Sequence, residues 1–295
     1  MADLHTSLVE KDIRPGVATR LTQRVRRLNM GNAGPMTGPG TNTYLVGERE
    51  IAVIDPGPDD EGHIESIIAQ AGGQIRWVLV THTHPDHSPA AKILADRTGA
   101  EMIGCVMPDD GHQDTTFQVA ENLQHGTQLV TEEFTLEAIY TPGHVGNHFC
   151  FWLPEDKVIF TGDHIMQGAT VVIVPPSGDM ADYISSLELL KQYPVELLAP
   201  GHGHLLSDAV GVVDALVRHR TLREAKVVAA LKRLGESSLE ELVKTVYDDV
   251  DPVLHKVAQV SLWAHLLKLE KEQHAEKHAE AHWLFGKEVW RLTSN

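Results

Sequence analysis

From residue 20 to residue 200 short apolar runs alternate with turn residues. The runs at 44–46, 51–54, 77–80, 136–140, 149–153, 158–160 and 197–199 are bounded by Gly, Pro, Asn or Asp and read as strands. Stretches with helical spacing lie between them: 61–71 before Gly72-Gly73, 89–97 before Gly99, and 182–192 before Pro194. Strands joined both by hairpins and by helical crossovers predict a layered α/β sandwich.

Beyond residue 206 the period changes. Ser207 is placed to cap a helix running to Leu234, with Val210, Val213, Leu216 and Val217 on one face, and Gly235 ends it. Ser238, followed by Glu240 and Glu241, opens a second helix to Tyr247. Pro252 opens a third, to about Lys271, with Val253, Val257, Val260, Leu262, Leu266 and Leu269 apolar. The tail from 275 to 292 has the pattern of a hairpin about Gly286. Three helices and a hairpin suggest a winged-helix module. The expected division is a catalytic domain over 1–206, with 1–20 as an N-terminal extension, and a linking helix plus winged helix over 207–295.

Composition narrows the classes. The 25 Lys and Arg against 41 Asp and Glu leave a net charge of −16, which argues against a chain built mainly to grip a phosphate backbone. No run approaches the ~18 apolar residues of a membrane span. The first twenty residues lack the apolar core and cleavage site of a secretory signal, so the expected location is cytoplasmic. Cys105 and Cys150 form no CxxC pair and read as reduced thiols. Histidine, with 18 residues in 295, is the unusual entry in this composition.

The histidines are concentrated where chemistry needs them. Directly after an apolar strand comes Thr81-His82-Thr83-His84-Pro85-Asp86-His87-Ser88, four potential metal ligands in six residues. In an extended segment His82 and His84 share one side, and Asp86 and His87 can turn toward a second point, a pattern suited to two metals. Three further strand ends carry Gly143-His144, Gly162-Asp163 and Gly201-His202. Alone each would be an ordinary turn; with the HxHxDH run they form a set. No GxSxG elbow is present to supply a serine nucleophile. His148, His164 and His204 stand close to the set as orienting or substrate-contacting candidates. His274, His278 and His282 recur every four residues, but with Glu272, Glu276 and Glu280 between them they read as a solvated face.

This set resembles the metallo-β-lactamase superfamily, over about residues 20 to 210. The resemblance implies an αββα four-layer sandwich. One metal would be held by His82, His84 and His144, a second by Asp86, His87 and His202, with Asp163 bridging both. It also implies that Asp55, in Ile54-Asp55-Pro56-Gly57, is structural, accepting hydrogen bonds behind the histidine loop. Gly34-Pro35-Met36-Thr37, then Gly40-Thr41-Asn42-Thr43-Tyr44-Leu45-Val46-Gly47, and Thr141-Pro142-Gly143-His144 leading to His148, are similar to one branch of that superfamily. That branch contains a mitochondrial β-lactamase-like single-strand endoribonuclease and related acyl thioesterases, with a winged helix after the catalytic domain. Arg218-His219-Arg220, Arg223-Glu224 and the run 266–271 look similar to it.

Two divalent ions sharing a water would give a hydroxide nucleophile at neutral pH, oriented by Asp86 and Asp163 as catalytic carboxylates. Zinc is the expected metal, with iron or manganese as alternatives. The leading expectation is hydrolysis of a small acyl substrate, an ester, thioester, lactone or lactam-like compound. The alternative is cleavage of single-stranded RNA, which needs a basic track. Residues 236–295 carry seven Lys and Arg against eleven Asp and Glu, which disfavours it, and Arg218 to Arg223 with Lys226 is the basic cluster to test. A third reading makes the winged helix a lid or a homodimer contact, packed through Trp283, Phe285 and Trp290.

Overall fold

The structure is a computed structural model and describes residues 13–277 and 289–293. Strands buried on both faces explain the unbroken apolar runs. In β3 (Asn42–Val46) and β4 (Glu50–Ile54), Tyr44, Val46, Ala52 and Ile54 point to one core while Leu45, Ile51 and Val53 point to another. With β1 (Thr19–Arg20), β2 (Val25–Asn29), β5 (Gln74–Leu79) and β6 (Glu101–Ile103) they form a six-stranded sheet in sequence order, antiparallel up to β4 and parallel from β4 to β6. A second sheet runs β11-β10-β9-β8-β7, built from β7 (Gln128–Val130), β8 (Thr135–Tyr140), β9 (Phe149–Leu153), β10 (Val158–Gly162) and β11 (Leu197–Pro200). Only its β10–β11 pair is parallel.

The two sheets face each other across a core in which Tyr44 and Phe160 pack with ring centroids 5.0 Å apart. Helices α1 (Glu61–Gln70) and α2 (Ala90–Thr98) cover the outer face of the first sheet. Helices α3 (Met180–Leu190) and α4 (Ala209–Leu234) cover the outer face of the second. The expected αββα four-layer sandwich is therefore present.

Helix α4 continues past the sandwich. Its first half gives Ala209, Val213 and Leu216 to the outer core of the second sheet, and its last turns give Val227, Ala230 and Leu231 to a separate core. That second core is completed by α5 (Leu239–Val246), α6 (His255–Lys271) and a small sheet of β12 (Ser237–Ser238), β14 (Val289–Leu292) and β13 (Ala275–Lys277), with Trp290 fully buried. This is the winged helix.

Several expectations change in detail. Asp208, not Ser207, caps α4: it sits in the left-handed region at φ 54° and its carboxylate accepts from Gly211 N, placing negative charge at the helix start. Strands β1, β2, β6 and β7 lack a legible apolar run. In β2 the pattern is hidden by Arg26 and the buried Arg27, and Arg26 earns its place by donating to Gln70 O and Ala71 O at the end of α1. Pro252 starts a single 3-10 turn before α6, since its missing N–H suits only a first turn. His274 precedes β13 rather than lying on a helix face; His278, His282, Trp283, Phe285 and Gly286 fall outside the described residues. No helix among the described residues is long and apolar enough to cross a membrane.

Phe160→Ala is expected to cost about 3–5 kcal/mol of unfolding free energy, and Val210→Ala, on the exposed face of α4, less than about 0.5 kcal/mol. Equilibrium urea unfolding of the two variants checks the difference.

Candidate metal centre

Every sequence-derived ligand position sits at a strand end or in the loop that follows one. His82, His84, Asp86 and His87 follow β5, His144 lies between β8 and β9, Asp163 follows β10 and His202 follows β11. The parallel pairings β4–β5 and β10–β11 bring these ends to one rim of the sandwich. Three groups of donor atoms form there: His82, His84 and His144; His82, His87 and Asp163; and Asp86, His87 and His202, each with its atoms within 4.8 Å of one another.

Hydrogen bonds behind the loop determine which ring nitrogen faces inward. Asp55 Oδ1 accepts from Thr81 N at 2.7 Å, and its Oδ2 accepts from Thr81 Oγ1 at 2.8 Å and faces His87 Nδ1 at 3.0 Å. His87 therefore carries a proton on Nδ1 and turns Nε2 inward. The Thr81 hydroxyl proton is committed to Asp55, so His82 Nδ1, 3.0 Å away, is the donor of that contact, and His82 Nε2 also faces inward. His144 Nδ1 donates to Val172 O at 2.7 Å and His202 Nδ1 to Gly40 O at 3.4 Å, with the same result.

The inward atoms are short of partners. His82 Nε2 and His144 Nε2 both converge on His84 Nδ1, at 2.9 and 3.1 Å, and one ring nitrogen cannot satisfy two lone pairs. His87 Nε2, His202 Nε2 and Asp163 Oδ1 are buried with no hydrogen-bond partner among the described residues. Asp163 Oδ1 lies 3.4 Å from both His87 Nε2 and His202 Nε2, and its Oδ2 lies 3.8 Å from His144 Nε2. Asp86 Oδ2 is 3.1 Å from His202 Nε2 and is half-buried. Imidazole nitrogens and carboxylate oxygens converging in this way are a donor set for divalent cations, which displace protons from the rings on binding.

The electrostatics divide the cluster. Burial, then the neighbouring imidazoles, hold His82 well below the ordinary histidine range, and burial with His144 pulls His84 down to about 3. Burial opposes charge on His87 too, but Asp86, Asp163 and Asp55 overcome it and hold the ring well above that range; His202 is raised against burial by Asp163 and Asp86. Asp163 stays ionised despite burial because His202, His87 and His144 surround it. The acidic half of the site thus holds a place for positive charge.

The remaining candidates lie behind the cluster. His148 is fully buried, its ring 5.1 Å from that of His82 and its Nδ1 2.9 Å from Thr141 Oγ1. His164 is fully buried against Tyr183, and burial lowers it to about 3. Neither reaches solvent, so direct contact with a substrate is closed to them. His204 is half-buried beside His202. Burial pushes the Cys150 thiol up to about 12 and raises Cys105 as well, which leaves no thiolate at neutral pH. The sequence reading missed Val172 and Gly40, whose contributions are backbone carbonyls and carry no residue-type signal, and also Thr81, which relays the hold of Asp55 to His82.

Comparison with known proteins matches the description "Metallo-beta-lactamase superfamily" over residues 36–202. The chain belongs to the metallo-β-lactamase superfamily. It is a hydrolase of that superfamily, and residues 238–283 match "Beta-lactamase associated winged helix domain". A beta-lactamase-like protein 2 homolog of Caenorhabditis elegans is 30% identical over 235 residues, covering 78% of each chain. An atrochrysone carboxyl ACP thioesterase of Aspergillus chevalieri is 32% identical over 265 residues, 85% of this chain and 82% of that one. Among solved structures, a beta-lactamase domain protein from Burkholderia ambifaria superposes with a TM-score of 0.81 over 99% of both chains at 20% identity. The fold shared with this superfamily member thus includes the winged helix.

Asp55→Asn puts an N–H where Thr81 and His87 already present donors. It is expected to weaken divalent-metal binding by about 10- to 100-fold with the circular dichroism spectrum retained, as read from metal titration of the purified variant.

Proposed function

We propose that the protein is a dinuclear metal-dependent hydrolase of a small acyl substrate, with a thioester the foremost class. The observation that carries the reading is the position of Asp163: one oxygen faces His87 and His202, the other faces His144, so a single carboxylate borders two donor groups. His82, His84 and His144 would hold one ion, and Asp86, His87 and His202 the other, with Asp163 between them. An all-His/Asp set suits zinc, and equally iron or manganese where supply favours them.

Two divalent ions held there would supply an activated water at neutral pH and Lewis-acid polarisation of the acyl oxygen. The chain's own residues do the rest. Asp163 and Asp86, both held ionised by the surrounding histidines, orient the attacking water as acceptors. Water adds to the carbonyl carbon, the bond to sulfur or oxygen breaks, and the water's proton ends on the departing group. Two loops flank the cluster and would shape the pocket. The loop preceding β3 lies against His202, through the Thr41–His202 bridge and Gly40 O. The loop between β6 and β7 is tied to the histidine run by Asp114 N donating to Thr83 O at 2.6 Å and by Thr83 Oγ1 donating to Gln113.

The thioester class draws support from the relative named a carboxyl ACP thioesterase, matched over most of both chains. RNA cleavage would draw on the basic cluster of α4, but three of its four cations are already engaged, leaving Arg218, which is exposed. Arg220 is buried, Arg223 pairs with Asp249 at 2.7 Å and Lys226 with Asp248 at 2.7 Å. Weak attraction for a phosphate backbone is the expected result.

Protein of measured metal content, incubated with acyl thioesters, esters, lactones, a chromogenic lactam and a fluorogenic single-stranded RNA, is expected to cleave thioesters and leave RNA intact. His82→Ala and Asp163→Ala should abolish turnover and lower metal content. RNA cleavage lost in those variants and suppressed by salt would reverse the substrate assignment.

Acidification should strip the two ions in order. A metal competes with protons for its ligands, and His87 and His202 hold protons more strongly than His82 or His84 do. Dialysis at stepped pH is expected to release one equivalent first and the second only at lower pH; simultaneous loss would contradict the two-site assignment.

A further inference from the structure

Arg220, on α4, is 2% exposed and makes no ion pair among the described residues. Its Nε has no hydrogen-bond partner there either. It is held by one carbonyl and by Tyr183: Nη2 donates to Val171 O at 2.6 Å, the guanidinium carbon lies 5.1 Å from the centroid of the Tyr183 ring, and the two side chains also share a hydrogen bond. A buried cation without a carboxylate is an expensive way to fill space, and an apolar side chain of similar volume would do so at lower cost. Arg223, three residues further on, is the contrast. It pairs with Asp249, donates to Val246 O and stacks on Tyr247, all within the winged-helix core.

The groups that Arg220 touches lead to two of the assigned ligands. Val171 precedes Val172, whose carbonyl fixes His144 by accepting from its Nδ1 at 2.7 Å. The Tyr183 hydroxyl donates to His164 O at 3.0 Å, immediately after Asp163. The Tyr183 backbone also presses on Gly143, which precedes His144. Gly143 has φ 137°, and a Cβ there would lie 2.3 Å from Tyr183 Cα. One guanidinium therefore ties the segment behind His144 and the residue beside Asp163 to a helix that continues into the C-terminal module.

We infer that Arg220 is a positioning residue of the metal centre, setting through Val171 and Tyr183 the backbone that aims His144 and Asp163. The inference rests on the ligand assignment proposed above. It gives the C-terminal module a part in building the centre without contact to substrate.

The test uses full-length protein loaded with Co2+, with affinity read by chelator competition and geometry by the visible absorption of the ion. Arg220→Met is expected to bind Co2+ about 10- to 100-fold more weakly and to change the absorption bands. Arg220→Lys, which keeps the charge and a donor but not the planar fork, should recover part of the loss. Arg223→Met should lower the melting temperature and leave Co2+ affinity at the wild-type value. Wild-type affinity and spectrum in Arg220→Met would overturn the inference. If Arg220→Met does not fold, Tyr183→Phe, which removes only the hydroxyl that links Arg220 to His164 O, decides: a smaller loss of affinity supports the inference and an unchanged value overturns it. Should the wild type fail to bind Co2+, or His144→Ala bind it as tightly, the ligand assignment itself falls and takes the inference with it. Loss in His144→Ala with no change in Arg220→Met removes the inference alone.

Discussion

The rim of the sandwich is organised by one buried carboxylate. Asp55 directly follows β4 in the left-handed region at φ 51°, a conformation that costs a non-glycine residue about 1–2 kcal/mol. Three contacts offset that cost, with Thr81 N, Thr81 Oγ1 and His87 Nδ1, each worth about 1 kcal/mol. The turn that follows is continued by the backbone, with Gly57 N donating to His87 O at 2.9 Å and Ala90 N to Gly57 O at 3.0 Å. The histidine loop is thereby hung between β4 and the start of α2. The direction of two imidazoles then follows from where Asp55 sends its lone pairs.

This hierarchy explains what could be read in the residues alone. The central strands were legible because burial on both faces leaves no polar interruption, as in Glu50–Ile54 and Phe149–Leu153. The histidines and aspartates of the rim were legible because their side chains are the chemistry. Strand β2 was not, because Arg26 spends its charge on helix-end carbonyls and Arg27 is enclosed, so the strand reads as a basic stretch. The groups that orient His144 and His202 are backbone oxygens, available at any residue type. The cap of α4 moved by one position because serine and aspartate side by side offer the same signal, and only the backbone angle separates them.

The basic cluster of α4 shows the same ambiguity at larger scale. Arg218 to Lys226 resembles a surface for phosphate when charges are counted along the chain. Folded, the helix turns Arg220 toward the catalytic sandwich and Arg223 toward the winged helix, Lys226 meets Asp248, and Arg218 stays exposed. Linear charge density records neither burial nor partner.

Helix α4 also fixes something that loops leave free. Its 26 residues place Val213 and Leu216 in one core and Val227, Ala230 and Leu231 in another. Because successive residues turn by about 100° around the axis, adding or removing a single residue between these two sets would rotate one apolar stripe away from its core while the other stayed in register. The length of this segment is therefore quantised by the geometry of the helix. Changes in chain length are left to the loops around the rim, where the same insertion would alter the shape of the pocket and leave both cores intact.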